Sequence, residues 1–181
     1  TGDTDQFGYQ GQASYSWTGD FAGKVWGGFF SQEVTGLAVG GDERATAFEA
    51  GVSATVANIN LVAYGYSGEG VGTTGLLLDG FDAAGNKRDS DGGYVQATYV
   101  IPTGTKLGVS YGISKLDDTA ADTALGAASN LVDENTRLTV GAYHPLTKHL
   151  NLVAEYSKVE SEAHANLADL ETDIISVGAI L

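Results

Sequence analysis

The sequence predicts an all-β fold: one antiparallel, up-and-down sheet of about nine strands. Three observations predict it. Apolar and polar residues alternate with period two in segment after segment, as they do where successive strand side chains point to opposite faces. The connections alternate short, long, short, long along the chain. Glycine is frequent, at 26 of 181 residues, against only 2 prolines, a balance that suits long sheets with tight turns better than a disordered linker. The clearest unit is the hairpin from Arg137 to Tyr156. Leu138, Val140 and Ala142 alternate there with Arg137, Thr139 and Gly141, and after a tight turn Leu150, Leu152, Ala154 and Tyr156 alternate with Asn151, Val153 and Glu155. Arg137 and Glu155 lie on the polar face, and a packed core accepts such charges only at high cost. The apolar face therefore meets something greasy and the other meets water.

The elements follow in order. Strand one, 7–17, places Tyr9, Gly11, Ala13, Tyr15 and Trp17 on one face and Gln10, Gln12, Ser14 and Ser16 on the other. A Thr18-Gly-Asp20 turn leads to strand two, 21–31, whose faces are less distinct around Lys24 and Trp26-Gly-Gly-Phe-Phe30. A longer loop, Val34 to Asp42, precedes strand three, 45–56, where Phe48, Ala50, Val52 and Ala54 oppose Glu49, Gly51, Ser53 and Thr55. Ala57-Asn58 turns into strand four, 59–67, and a Gly- and Asp-rich loop, Gly68 to Asp91, follows. Strand five, 93–101, and strand six, 106–116, flank Pro102-Thr-Gly104; Leu107, Val109, Tyr111 and Ile113 face one way, and Lys106, Gly108, Ser110, Gly112 and Ser114 the other. The next loop, Asp117 to Glu134, is alanine-rich and predicts a short helix over Ala120 to Leu131. Strands seven and eight form the hairpin, the loop Ser161 to Glu171 follows, and strand nine ends the chain with Ile175, Val177, Ala179 and Leu181 on one face.

Bulk properties bound the partners. The formal net charge is −14, from 23 Asp and Glu against 9 Lys and Arg, and nucleic acid needs a basic face. With no cysteine, a disulfide framework and a thiolate metal site are both excluded, which is compatible with an oxidising compartment. Methionine is absent even from position 1, so the start reads as a processed or trimmed end. No apolar run in the chain approaches the length of a membrane-spanning helix. A spanning strand, however, is only half apolar, so a membrane barrel averages out to a neutral hydropathy. The acidic residues crowd into the long connections: Asp79, Asp82, Asp89 and Asp91; Asp117, Asp118 and Asp122; Glu160, Glu162, Asp169 and Glu171. All short turns at one rim and all long acidic loops at the other is the layout of a transmembrane β-barrel. Tyr9, Trp17, Tyr66, Tyr99, Tyr143 and Tyr156 fall near strand ends, where aromatic girdles sit.

Lys106-Leu-Gly-Val-Ser-Tyr-Gly112, His149-Leu-Asn-Leu-Val-Ala-Glu-Tyr156 and the ending Asp173-Ile-Ile-Ser-Val-Gly-Ala-Ile-Leu181 resemble the general porins of Gram-negative bacterial outer membranes, in pattern over nearly the whole chain rather than in an invariant motif. The resemblance implies a bacterial outer-membrane location, a homotrimer of sixteen-stranded, water-filled channels, and contact with membrane lipid and lipopolysaccharide. Nine strands depart from the even number of single-chain bacterial barrels. The count fits the C-terminal nine of sixteen, with 1–181 a single barrel domain lacking its N-terminal strands, and with neither the family's constriction loop nor its facing basic cluster in view. The alternative is an eight-stranded barrel, with strand two or strand four miscounted.

Motifs with chemistry are few. Gly70-Val-Gly72-Thr-Thr-Gly75 matches a dinucleotide fingerprint, but that motif must open a helix, and a glycine-rich surface loop is the simpler reading. The acidic groups match no calcium-loop spacing. His144 and His149 bracket one turn, and no serine sits in a nucleophile elbow. The expectation is a non-enzyme without cofactor or metal. Pore-lining candidates are the polar-face residues Lys24, Glu49, Gln96, Lys106, Ser110, Arg137, Asn151 and Glu155. They would line a channel for passive diffusion of ions and small hydrophilic solutes, cation-preferring because of its acidic mouth. A small closed barrel with a structural or adhesive role and no open pore is the second expectation. A soluble β-sandwich is the third, and it requires Leu107, Val109, Tyr111 and Ile113 to pack on a second sheet.

Overall fold

The structure, a computed structural model, describes residues 4, 6–37, 41–73, 77–124, 131–164 and 169–180. Nine strands form one sheet in sequence order: β1 (Tyr9–Trp17), β2 (Phe21–Leu37), β3 (Gly41–Val56), β4 (Ile59–Glu69), β5 (Asp89–Val100), β6 (Lys106–Leu116), β7 (Val132–Pro145), β8 (Asn151–Ala163) and β9 (Leu170–Ile180). Every neighbouring pair is antiparallel. Both strands whose existence was in question, β2 and β4, are long and fully paired, which removes the eight-strand count. Among the described residues no strand pairs with the free edge of β1 or of β9.

Several boundaries differ from the alternation-based reading. The expected loop from Val34 to Asp42 is mostly strand, because β2 runs to Leu37 and β3 begins at Gly41. The ladder continues because it keeps finding partners on both faces: Arg44 pairs with Glu33 at 2.6 Å on one face, while Val34 and Ala45 bury on the other. Likewise β5 begins at Asp89, so Asp89 and Asp91 belong to the sheet, and β7 begins at Val132. The helix over Ala120 to Leu131 is confirmed only as α1 (Ala120–Ala124). Leu131 is not helical, and 125–130 lie outside the described residues.

The register sorts side chains into rows that cross the whole sheet. One apolar row runs Val25, Val52, Ala63, Val95, Tyr111, Leu138. One polar row runs Ser16, Lys24, Ser53, Val62, Gln96, Ser110, Thr139, Ser157. The exposure of the two faces is inverted relative to a water-soluble protein. Phe48 is 69% exposed, Val95 57% and Leu61 51%, whereas Glu49, Tyr64 and Ser110 on the other face are half-buried. The sheet curls with its polar face inward. No second layer covers Leu107, Val109 and Tyr111, which are 44%, 44% and 45% exposed; this overturns the sandwich. Among the described residues the buried hydrophobics are only Val34, Ala45, Val71 and Leu116.

The apolar face has a charged upper border. Going up each strand, the first charged residue on that face is Glu33 in β2, Arg44 in β3, Glu69 in β4, Asp91 in β5, Lys115 in β6, Glu134 in β7, Lys158 in β8 and Asp173 in β9. Ion pairs tie it across strands, Lys115 to Glu134 at 2.7 Å and Lys158 to Glu171 at 3.2 Å, and Lys158 also pairs with Glu160 along β8 at 2.7 Å. The border slants. It lies two rows above the Phe29–Phe48 row on β2 and β3 and two rows below that row's continuation on β8 and β9. Four rows of two residues, at about 3.3 Å per residue, fall about 26 Å over seven strand steps of about 4.8 Å, a slope of about 38°. Barrel strands tilt by roughly 35–45° from the membrane normal, so a flat membrane surface traces such a line across the unrolled sheet.

The expected aromatic girdle holds in part. Tyr9, Trp17, Tyr99 and Tyr156 lie on the apolar face, and Trp17 sits 6.2 Å from both Tyr15 and Phe21 near the short-turn rim. Tyr66 and Tyr143 lie on the polar face, in the rows of Glu49 and Lys106. Period two puts Tyr66 with Tyr64 rather than with the girdle.

Candidate functional site

The concave polar face is the candidate site, and all eight residues singled out on it share that face by register. Lys24, Gln96 and Ser110 occupy one row. Lys24 also stands over the Trp26 ring, its Nζ 5.6 Å from the centroid. Gln96, Ser110 and Lys106 line one concavity of about 360 Å³ with Asn60 and Thr139. Glu49 lies one row above Trp26 and lines a separate concavity of about 700 Å³. Arg137 donates from Nε to Thr139 Oγ1 at 3.2 Å and from Nη2 to Ser157 Oγ at 3.0 Å. The Tyr143 hydroxyl donates to Glu155. Asn151 sits at the short-turn rim opposite Pro145 and Ile180, apart from the rest. The chosen wall residues balance closely, with Lys24, Lys106 and Arg137 against Glu49 and Glu155. The acidic excess belongs to the opposite rim.

Two further features shape this face. The first is an aromatic row, whose Tyr64, Tyr94 and Trp26 already read from the sequence as large inward residues. Trp26, Gly51, Tyr64, Tyr94, Gly112 and Arg137 are successive partners across β2 to β7. The Trp26 ring lies flat over Gly51, where a Cβ would stand 2.1 Å from it. The Tyr64 and Tyr94 rings are 5.5 Å apart.

The second is the β4–β5 connection, expected to be a surface loop. Its described residues fold over the upper edge of the polar face. Val71 packs with Val34 and Ala45, joined by Phe30 and Phe81, and Ser90 Oγ donates to the Gly72 carbonyl at 3.1 Å. Gly70 and Gly72 hold left-handed φ of 74° and 68°, a conformation glycine adopts without a Cβ clash. No helix lies among the described residues between them and β5, and Gly75 of the fingerprint lies outside those residues. A segment that covers part of the polar face therefore follows β4.

A buried clamp anchors it. Arg88 donates from Nε and Nη2 to both Asp122 oxygens at 2.8 and 2.9 Å, and from Nη1 to the Asp79 and Phe81 carbonyls at 2.8 and 2.7 Å. Thr119 Oγ1 donates to Asp82 Oδ2 at 2.6 Å, and Asp82 Oδ1 accepts the Ala84 and Asn86 amides at 2.8 Å each. Bidentate charge-assisted bonds of this kind are the strong ones, and here they join the β4–β5 and β6–β7 connections. The Arg88 hydrogen bonds, working against burial, hold the Asp122 carboxyl at about 2. Burial pushes Asp82 up, but bonds from Thr119, Asn86 and Ala84 together bring it below its usual value. A depressed carboxylate stabilises the fold above its unfolded pKa of about 3.9 and loses that contribution as pH falls through the folded value. Protection of the Arg88 amide, bonded to the Gly80 carbonyl at 2.8 Å, should thus be the same at about pH 7 and pH 5 and fall away below about pH 4. Hydrogen exchange corrected for intrinsic rates checks this.

No family model and no curated protein sequence matches the chain. Among solved structures it is similar to the outer membrane channel DcaP of Acinetobacter baumannii, with a TM-score of 0.81 at 13% identity, over 98% of this chain and 51% of that one. The chain thus spans about half the length of that channel. At this identity the likeness is one of fold, and it coincides with the open nine-stranded sheet, the outward apolar face and the slanted border. The fold is an antiparallel, up-and-down sheet of nine strands, the fold shared with the matched part of that channel.

Proposed function

We propose that this chain supplies part of the wall of a water-filled channel in a bacterial outer membrane, through which ions and small hydrophilic solutes diffuse passively. The observation that carries the reading is the inverted sheet: a greasy convex face ending in a slanted charged border, and a concave face of Gln, Ser, Thr, Asn and balanced charges. Hydrocarbon on the convex side satisfies the first, and a lumen holding water satisfies the second. In this reading the strands 1–181 belong to one barrel domain, completed to sixteen by strands that pair with the edges of β1 and β9. The channel is a porin-type homotrimer, set among lipid and lipopolysaccharide, and its work is transport rather than catalysis. The eight wall residues bias which ions pass, and the acidic rim concentrates cations at the mouth within a screening distance of about 10 Å in 0.1 M salt.

The test is planar-bilayer recording on the protein that carries this chain, under a salt gradient. Discrete conductance steps with a cation-positive reversal potential are expected. Heat-modifiable, detergent-bound β protein that never conducts would overturn the channel, and protein that stays monomeric in water without detergent would overturn the membrane location as well.

A further inference from the structure

Glu49 is the most unusual group on the concave face. Its carboxylate accepts one hydrogen bond on each oxygen, from Gln12 Nε2 at 2.7 Å and from the Tyr64 hydroxyl at 2.8 Å. Both donors are neutral, and among the described residues no Lys or Arg forms an ion pair with it. The other wall charges differ. Lys24 is seated over Trp26, and Arg137 is engaged by Thr139 and Ser157. Glu49 is therefore a fixed, oriented and uncompensated negative charge. It sits in the larger concavity, of about 700 Å³, walled by Gln12, Phe30, Tyr64 and Tyr66 and roofed by Val71 and Thr73 of the folded-over segment. The aromatic row of Trp26, Tyr64 and Tyr94 continues directly below.

We infer that this concavity is a binding subsite for small organic cations, a primary ammonium carrying an apolar or aromatic arm, with Glu49 as its counter-ion. This deepens the channel reading by naming a solute class, and it rests on the polar face being a solvated lumen. The chemistry selects the class in two ways. Each Glu49 oxygen keeps a lone-pair direction after its single hydrogen bond, so the carboxylate can still accept from an ammonium in a charge-assisted bond. Aromatic faces around a carboxylate attract a cation through their quadrupoles and give its arm apolar contact. A bare metal ion is poorly served, because hard cations such as Ca²⁺ ask for six to eight oxygens in a shell, and no cluster of three metal-ligating side chains occurs among the described residues. An anion would meet Glu49 directly and be repelled.

The test uses the whole protein in zwitterionic detergent micelles, with benzylammonium chloride as the probe and Trp26 as the reporter. The protein has two tryptophans, and Trp17→Phe on the apolar face leaves Trp26 alone. A saturable change in Trp26 fluorescence on adding benzylammonium is expected, with no saturable change from neutral benzyl alcohol. Glu49→Gln, which keeps the size and both neighbours, should weaken binding at least about ten-fold, and Glu155→Gln on the same face should leave it unchanged. Equal affinity in Glu49→Gln, equal binding of benzyl alcohol, or an absent titration in native protein would each overturn the subsite. Because the readout needs no conductance, the two readings fail separately. Glu49-dependent binding by a protein that never conducts would keep the subsite and sink the channel, whereas normal conductance without binding would do the reverse.

Discussion

Val109→Arg should destabilise the folded protein in a lipid bilayer by about 2–4 kcal/mol, while Ser110→Arg, one residue along the same strand, should cost less than about 1 kcal/mol. Val109 lies between Leu107 and Tyr111 on the convex face, is 44% exposed, and neighbours Ala97 and Val140. That places it well inside the apolar band and three rows below Lys115. A guanidinium there must shed its water into hydrocarbon or drag water in. Ser110 points the opposite way, into a row of Gln96 and Thr139, where an arginine keeps its hydration and meets only diffuse repulsion from Lys106 and Arg137. Its effect should appear in ion preference, shifted toward anions. Refolding titrations into vesicles of a defined phospholipid give both stabilities. Equal costs at the two positions would mean that the faces do not separate lipid from water.

The second large effect concerns the clamp. Asp122→Ala leaves the Arg88 guanidinium buried without its carboxylate, a loss of about 3–5 kcal/mol. The strands do not depend on this pair, so the loss should be local. The β4–β5 connection should lift from the wall while the barrel stays folded. The Arg88 amide should then exchange at least about a hundred-fold faster, since each 1.36 kcal/mol is a factor of ten, and single-channel conductance should rise as the upper edge of the polar face is uncovered. Replacing both partners, Arg88→Met with Asp122→Leu, should recover much of the protection, because a buried pair exchanged for apolar groups of similar volume is often neutral. Slow exchange in the single variant would show that Val71, Phe30 and Phe81 hold the segment without the ion pair.

The strands were legible because the signal is local. In β6, Leu107, Val109, Tyr111 and Ile113 declare their face without reference to anything else, and the register of β5 to β8 follows from it. The upper reaches of β2 and β3 were not, because Val34 sits among Glu33, Thr35 and Gly36 and shows no alternation. Its reason for being strand is contact with Val71, 37 positions away. The same holds for the clamp, whose partners are 34 residues apart; an arginine and an aspartate in separate loops carry no pattern. Tyr66 and Tyr143 are a different matter. Their face was fixed by parity with Tyr64 and Gly141, and nearness to a strand end misassigned them. For the wall the residues were legible but their partners were not. Glu49 alternates cleanly with Phe48 and Ala50, whereas its lack of a cation emerges only once β1, β3 and β4 are side by side.

The Trp26 ring resting on Gly51 keeps the concave face low at that point. An indole standing upright projects far from the sheet, while one lying on bare backbone adds little more than a ring thickness of about 3.5 Å. Gly112 differs: of Tyr94, a Cβ there would meet only the Cβ, at an ordinary contact distance of 3.4 Å. At Trp26 the concave face thereby gains aromatic surface with little added height. A single methyl group at position 51 would act as a wedge that tips the indole away from the sheet.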